Sequence, residues 1–236
     1  MIDVDPDMSL GELVNRRPSA AAVLQDFGLD FCCGGSQPLG AACAELGVDP
    51  EAVAAALGAV APVPVPDWVA MGPAELVDHL EATHHAYLHR ELPRLDAFAE
   101  KVAAVHGGRH PELLDVLADL RELTDDLVPH LAKEERVLFP RISDLAAGRS
   151  STVGGPPSLA APISVMLREH DRAGELLGIL RARTDAFAVP DDGCATYRAL
   201  YDGLRELEAD THLHVHKENN LLFPAVLELE ARVASP

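Results

Sequence analysis

The sequence predicts an all-α protein, a four-helix bundle preceded by a small helical domain. Three observations carry that prediction. Aromatic residues make up only 4% of the 236-residue chain while Ala, Leu and Glu abound, and Val, Ile and Thr nowhere alternate with polar residues over the length of a strand. The chain also repeats itself. His130-Leu-Ala-Lys-Glu134, followed by Glu135-Arg136-Val137-Leu138-Phe139-Pro140, returns 84 residues later (214 minus 130) as His214-Val-His-Lys-Glu218, followed by Asn219-Asn220-Leu221-Leu222-Phe223-Pro224. A supersecondary unit that buries its apolar face against its own copy predicts a bundle with approximate two-fold symmetry.

Taken in order, Ser9-Leu-Gly-Glu12 reads as a capping box that opens a short helix: the serine hydroxyl accepts from an orphan backbone N–H and the glutamate reaches back. Pro18 suits the start of a second helix that ends near Gly28. Asp30-Phe31-Cys32-Cys33-Gly34-Gly35 is expected to be a loop leading toward Pro38, where a helix carrying Cys43 begins. Asp49-Pro50 caps an Ala-rich helix ending near Gly58, which completes a helical domain at residues 1–60. Ala61-Pro-Val-Pro-Val-Pro66 alternates proline and is stiff and extended, so residues 61–72 are expected to link this domain to a bundle at residues 73–236. The bundle helices are expected at about Pro73 to His106 with a kink at Pro93, Pro111 to Ala147, Pro162 to Phe187, and from Pro190-Asp-Asp-Gly193 toward Val233. Gly148 to Ser158 joins the halves. Pro129 removes a backbone hydrogen bond just before a candidate ligand, and a widened helix is expected there.

Composition bounds the function. The 48% apolar content suffices for a core, and no run approaches the roughly 20 apolar residues of a membrane span. The acidic opening Met1-Ile-Asp-Val-Asp5 lacks the basic and apolar regions of an export signal, so a cytoplasmic location without membrane partners is the expectation. A formal charge of -19, from 38 acidic and 19 basic residues, argues against nucleic acid or an anionic membrane as partner. Cys32, Cys33, Cys43 and Cys194 match neither a disulfide framework nor a CxxC zinc site, and free thiols suit a reducing cytoplasm.

The repeat also carries the chemistry. In each copy His precedes Glu by four positions, which places imidazole and carboxylate on one face of a helix. A histidine in the previous apolar segment precedes each copy: His85, 45 residues before His130, and His170, 44 before His214. Four imidazoles and two carboxylates are the wrong inventory for a dry core, because buried ionisable groups must be paired or bind metal. A single His–Glu pair would be an ordinary polar pair, but its duplication favours metal binding. On the first helix the pattern leaves two choices. His84 falls in step with Leu80 and Leu88 on the apolar stripe, whereas His85 better reproduces the interval of the second half. Of His212, His214 and His216 only His214 has a Glu four residues on; the other two are read as exposed or as supporting the ligands. His79, His89, His106 and His110 have no partner at ligand spacing and are read as surface or ordinary polar residues. Mixed nitrogen and oxygen ligands suit Fe, Mn or Zn. Four His and two Glu divide into two His per metal with both carboxylates bridging and positions left open.

These residues resemble the repair-of-iron-centres family, di-iron proteins that repair iron-sulfur clusters after oxidative or nitrosative damage and that carry an ScdA-type N-terminal domain before a hemerythrin-like bundle. The resemblance covers nearly the whole chain: Phe31-Cys-Cys-Gly-Gly35, His84-His85 with Arg90-Glu-Leu-Pro93, Lys133-Glu134 to Phe139-Pro140, Ile163-Ser-Val-Met166 with Glu169-His170-Asp171, and Glu218 to Pro224. It implies two non-haem iron ions, carboxylate-bridged and oxo-bridged, on His85, His130, Glu134, His170, His214 and Glu218, with the two glutamates bridging. It selects His85 over His84, because His85 stands eight residues before the Leu-Pro proline. It implies donation of iron to damaged iron-sulfur proteins as clients. Cys32 and Cys33 would accept a nitrosyl group, receive the cluster or touch the client, and their position before a helix start is expected to lower their pKa. The same ligands would serve a reductase of nitric oxide, oxygen or peroxide, or a gas sensor, so enzymatic turnover stays open, as does the oligomeric state. Cys43, Cys194, His212 and His216 receive no role from the resemblance.

Overall fold

A computed structural model describes residues 5–61, 66–149, 154 and 158–234. Among them the chain is all-α, as the sequence predicts, with one isolated bridge between Ser9 and Pro38. The proline-alternating stretch and the Gly148 to Ser158 joint lie largely outside the described residues, as does the start of the acidic opening. No described helix is long and apolar enough to cross a membrane.

The N-terminal helices form where their caps place them. α1 (Leu10–Arg16) starts at Ser9, whose hydroxyl accepts from the Glu12 N–H at 3.2 Å. The reciprocal half of the capping box is not made, because the Glu12 carboxylate takes Arg16 one turn on. α2 (Ala20–Asp26) is followed by the cysteine loop and α3 (Leu39–Leu46), which ends at Gly47 in the left-handed region, φ 67°. α4 (Pro50–Ala59) is capped by Asp49, whose carboxylate accepts from Glu51 N–H at 3.0 Å. Each such cap is worth about 1 kcal/mol.

The longer helices are interrupted by wide turns. α5 (Pro73–Leu80) and α6 (Ala86–His106) flank π1 (Glu81–His85); α7 (Glu112–Lys133) and α8 (Phe139–Ala146) flank π2 (Glu134–Leu138). α9 (Ala160–Arg183) is continuous, whereas α10 (Ala195–Lys217) and α11 (Phe223–Ala234) flank π3 (Glu218–Leu222). In π2 and π3 the amide five residues on, Phe139 or Phe223, donates to the carbonyl of the candidate-ligand glutamate itself. The expected widening at Pro129 is not where the sequence reading put it. Pro129 sits inside α7, and the wide turn lies after it, ahead of Pro140. Pro140 and Pro224 have no N–H to continue the i→i−4 ladder, which explains why the same turn recurs at the same offset in both copies.

The chain divides into two compact units, Met1–Leu76 with His212–Pro236, and Val77–Thr211. In the second, Leu88, Leu92, Leu95 and Val102 of α6, Leu113, Val116, Leu120, Leu123 and Leu127 of α7, Leu176 and Leu180 of α9, and Tyr197, Leu200, Leu204 and Leu207 of α10 share one core. Their spacing of three and four residues is what turns one stripe of each helix inward. In the first unit, Leu10, Val14, Leu24, Phe31, Leu39, Val53 and Leu57 pack with Val215 of α10. The third long helix stops at Arg183 rather than near Phe187. Asp185, Ala186 and Phe187 all take positive φ (48°, 53° and 63°), a run that ends a right-handed helix. It is held by Thr184 Oγ1 accepting from Phe187 N–H, by Arg205 donating to the Phe187 carbonyl at 3.0 Å, and by burial of the Phe187 ring.

Candidate metal centre

Unit Val77–Thr211 gathers four of the expected ligands from α7, α9 and the wide turns π1 and π2. His85 Nε2 lies 3.5 Å from Glu134 Oε2, and His130 Nε2 lies 3.3 Å from the same oxygen. His170 Nε2 is 3.3 Å from His130 Nε2. All four side chains are buried. The outer ring nitrogens determine what the inner ones offer. His85 Nδ1 is 3.0 Å from Glu135 Oε1, and His130 Nδ1 is 2.9 Å from Glu169 Oε2. An ionised carboxylate only accepts, so each Nδ1 carries the hydrogen and each Nε2 turns a lone pair inward. Burial pushes the Glu135 and Glu169 pKa values up, but hydrogen bonds outweigh it and both are lowered: His89 and His85 act on Glu135, Lys133 and His130 on Glu169. Both therefore stay charged and hold the tautomers.

Glu134 is 0% exposed, and neither of its oxygens has a hydrogen-bond donor among the described residues. A buried carboxylate in that state is costly unless a cation compensates it. His85 and His130 turn lone pairs rather than protons toward it, and a mixed nitrogen and oxygen donor set suits a first-row transition metal. These residues therefore fit a metal ion. Phe139, directly after π2, sets its ring 5.2 Å from that of His85, tilted by 31°. In the other unit the second copy makes the equivalent pair: His214 Nε2 lies 3.2 Å from Glu218 Oε1, with both residues buried.

His84 and His85 have different partners. Both are buried, but the His84 ring is turned to Asp210, 2.8 Å from its Oδ1, whereas His85 faces Glu134 and Glu135. His216 is not exposed. It is fully buried, with Nδ1 3.1 Å from the Phe31 carbonyl and Nε2 2.9 Å from Asn15 Oδ1, and burial lowers its pKa to about 4, which keeps the ring neutral. His106, read as a surface or ordinary polar residue, is buried and faces Cys194.

Cys32 and Cys33 lie in a loop built on Asp30, whose carboxylate accepts from the backbone N–H groups of Cys32, Cys33 and Gly34. The two sulfurs are 4.0 Å apart. The expected acidification of Cys32 is overturned. Its pKa is raised well above the usual value by its contact with Cys33, then by burial and the Asp30 charge. α3 starts only at Leu39, so no helix N-terminus reaches this thiol. Asn219 and Asn220 explain why the second copy departs from the first: their amides donate to the Cys32 carbonyl at 3.3 and 3.0 Å. Gly35 lies against Asn220, so that a Cβ there would overlap its Oδ1 and stand 2.7 Å from the Phe31 carbonyl. The sequence reading assigned no role to Glu135, Glu169, Asn219 or Asn220. Their signal in the sequence was a place within the motifs that carry the candidate ligands.

Two family models match the chain in sequence. The ScdA_N model, described as a domain of unknown function, matches residues 6–61, and the hemerythrin HHE cation binding domain matches residues 76–226. The chain is similar to the iron-sulfur cluster repair protein YtfE of Dickeya chrysanthemi, 38% identical over 95% of this chain and 98% of the relative. It is 39% identical to that of Cronobacter sakazakii, over 94% of this chain and 96% of the relative, and 38% identical to that of Escherichia coli O157:H7, over 94% and 97%.

Proposed function

Because this chain belongs to the family of iron-sulfur cluster repair proteins, which join an ScdA_N domain to a hemerythrin HHE cation-binding domain, we propose that it repairs damaged iron-sulfur clusters by donating iron held on its histidines and glutamates. The proposed store is a non-haem di-iron centre on His85, His130, Glu134, His170, His214 and Glu218, with both glutamates bridging and an oxo bridge between the irons. The observation that carries the reading is Glu134, buried among three imidazoles with no hydrogen-bond donor on either oxygen. Iron supplies open coordination positions there and is itself the cargo.

The chain's own residues perform the rest. Glu135 and Glu169 keep the inner nitrogens of His85 and His130 free of protons, so that acid does not compete with the metal near neutral pH. Nitrogen and oxygen donors release iron more readily than a closed thiolate cage. Cys33, the more exposed of the paired thiols, is assigned to first contact with the damaged client, and Cys32 to receiving a nitrosyl or cluster fragment. A reducing cytoplasm is the compartment that keeps these cysteines as thiols. Small gases, nitric oxide and oxygen, are expected ligands of the reduced pair.

The test is metal analysis of protein purified without added metal, followed by mixing with an oxidant-damaged iron-sulfur hydro-lyase. Two irons per chain are expected, with visible absorption, and their transfer to the client should restore its activity without turnover of an electron donor. Glu134→Ala and Glu218→Ala should each lose iron and absorption. Variants that keep two irons and the same spectrum would refute the bridging assignment.

A further inference from the structure

The helical stretch that carries His214 and Glu218 has a second face that the metal chemistry does not use. His212, Val215, His216, Asn219 and Asn220 recur at the three- and four-residue spacing of one helix side, whereas 214 and 218 fall on the other. Within the unit formed by Met1–Leu76 and His212–Pro236, that face meets the cysteine loop. Val215 is buried in the N-terminal core, and the Phe31 ring stands edge-on to His212 at 6.2 Å and tilted to His216 at 5.7 Å.

The polar contacts converge on the two cysteines. A carbonyl oxygen has two lone pairs, and the Cys32 carbonyl accepts from two amides, Asn219 Nδ2 at 3.3 Å and Asn220 Nδ2 at 3.0 Å. Asn219 Nδ2 also lies 3.9 Å from the Cys33 sulfur. Asn220 is fixed from its own helix as well, since its amide donates to the His216 carbonyl at 3.2 Å, and its Oδ1 fills the space that a Cβ on Gly11 or Gly35 would need. Both asparagines belong to π3, which begins at Glu218. A single side chain, Asn219, therefore stands between the half-buried Cys33 sulfur and the residue next in the chain, Glu218. The first copy spends the same position differently: there Glu135, the residue after Glu134, holds the His85 ring. The second copy turns that position to the cysteine loop.

On the premise of the iron store assigned to these residues, we propose that occupation of the Cys33 sulfur loosens the grip of His214 and Glu218 on iron, with Asn219 and Asn220 as positioning residues. A group on Cys33 displaces the Asn219 amide, and the Cys32 carbonyl loses one of its two donors. π3 is the element that gives way, because a wide turn holds one residue more than the regular ladder accommodates. Glu218 opens that turn and shifts with it. The coupling is reciprocal, so that iron on Glu218 also orders the cysteine loop. The consequence is release on contact: iron stays held until a client reaches the thiol.

The test uses the full-length protein carrying Cys194→Ser, so that this exposed thiol does not compete for reagent. Iodoacetamide, small and uncharged, alkylates Cys33: the S–C bond forms, iodide leaves and the thiol proton passes to buffer. Peptide mass spectrometry confirms the position, and Cys33→Met, which places a bulkier group there permanently, serves if alkylation is incomplete. Iron affinity, read by competition with a chelator, should fall about tenfold, within the usual range of coupling between two sites. In the metal-free protein the same change should speed amide exchange across residues 217–223 by about tenfold, with α7 unaffected. Asn219→Ala should show the weak affinity and fast exchange without alkylation, and alkylation should then add nothing. Unchanged exchange across 217–223 with Cys33 fully occupied, unchanged affinity in protein that holds iron, or an alkylation effect that survives Asn219→Ala would each overturn the proposal. Protein that holds no iron at all would count against the store, and the exchange measurement would still decide the coupling.

Discussion

At the scale of single residues, carboxylates hold two of the proposed ligand imidazoles from outside. Glu135 and Glu169 each hold one ring by its Nδ1–H, and each is kept ionised by its own neighbours. Replacing either with Gln preserves the acceptor but removes the charge that makes the inner nitrogen a strong donor. Glu135→Gln and Glu169→Gln should weaken iron binding about 10- to 100-fold, measured by competition with a chelator, with little change in helix content. Unchanged affinity would mean that the outer carboxylates only decorate the surface. None of this was legible in the sequence, because Glu135 stands beside a ligand and bonds a ring 50 residues away. The His84 ambiguity had the same origin: periodicity describes one helix, and Asp210 lies 126 residues off.

At the scale of elements, the repeated Phe-Pro is a mechanical device. π2 and π3 each begin at a glutamate proposed as a ligand, whose carbonyl accepts from the phenylalanine five residues on, and each is followed by a proline that cannot rejoin the normal ladder. In π2 the extra residue lets Glu134, Leu138, Phe139 and Ile142 all turn inward although 134 and 139 are five apart. Pro140→Ala restores the missing donor and favours a regular α-helix across residues 134–140. The expected outcome is a helix more stable by itself and an iron content reduced by half or more, read by metal analysis and circular dichroism on one preparation. Full iron occupancy in Pro140→Ala would show that the turn is set by the ligands and not by proline. The first wide turn, π1, has no proline directly after it; there Thr83 Oγ1 donates back to the His79 carbonyl at 2.6 Å, a contact that bends helices.

At the scale of the whole molecule, a buried carboxylate without a donor makes stability depend on the ion. Metal that binds only the folded chain at 1,000 times its Kd adds about 4 kcal/mol. For a protein of this size that corresponds to roughly 10 °C in Tm. Removing iron with a chelator should therefore lower Tm by about that amount, and re-addition of ferrous iron under reducing conditions should restore it. Equal Tm values with and without iron, at full occupancy, would contradict the role given to Glu134.

What the sequence by itself determined is what local spacing encodes: an all-helical chain, the doubled His–Glu unit and the residue types suited to a transition metal. The tertiary structure decided the direction each side chain takes. His216, read as exposed or as supporting the ligands, is buried on the Phe31 carbonyl, and Cys32, expected to be acidic, is held protonated by its neighbours. His106, read as ordinary, points at Cys194, 88 residues away. The physical reason is common to all three: ring orientation, protonation and burial depend on groups that folding brings within a few ångströms, whatever their distance along the chain.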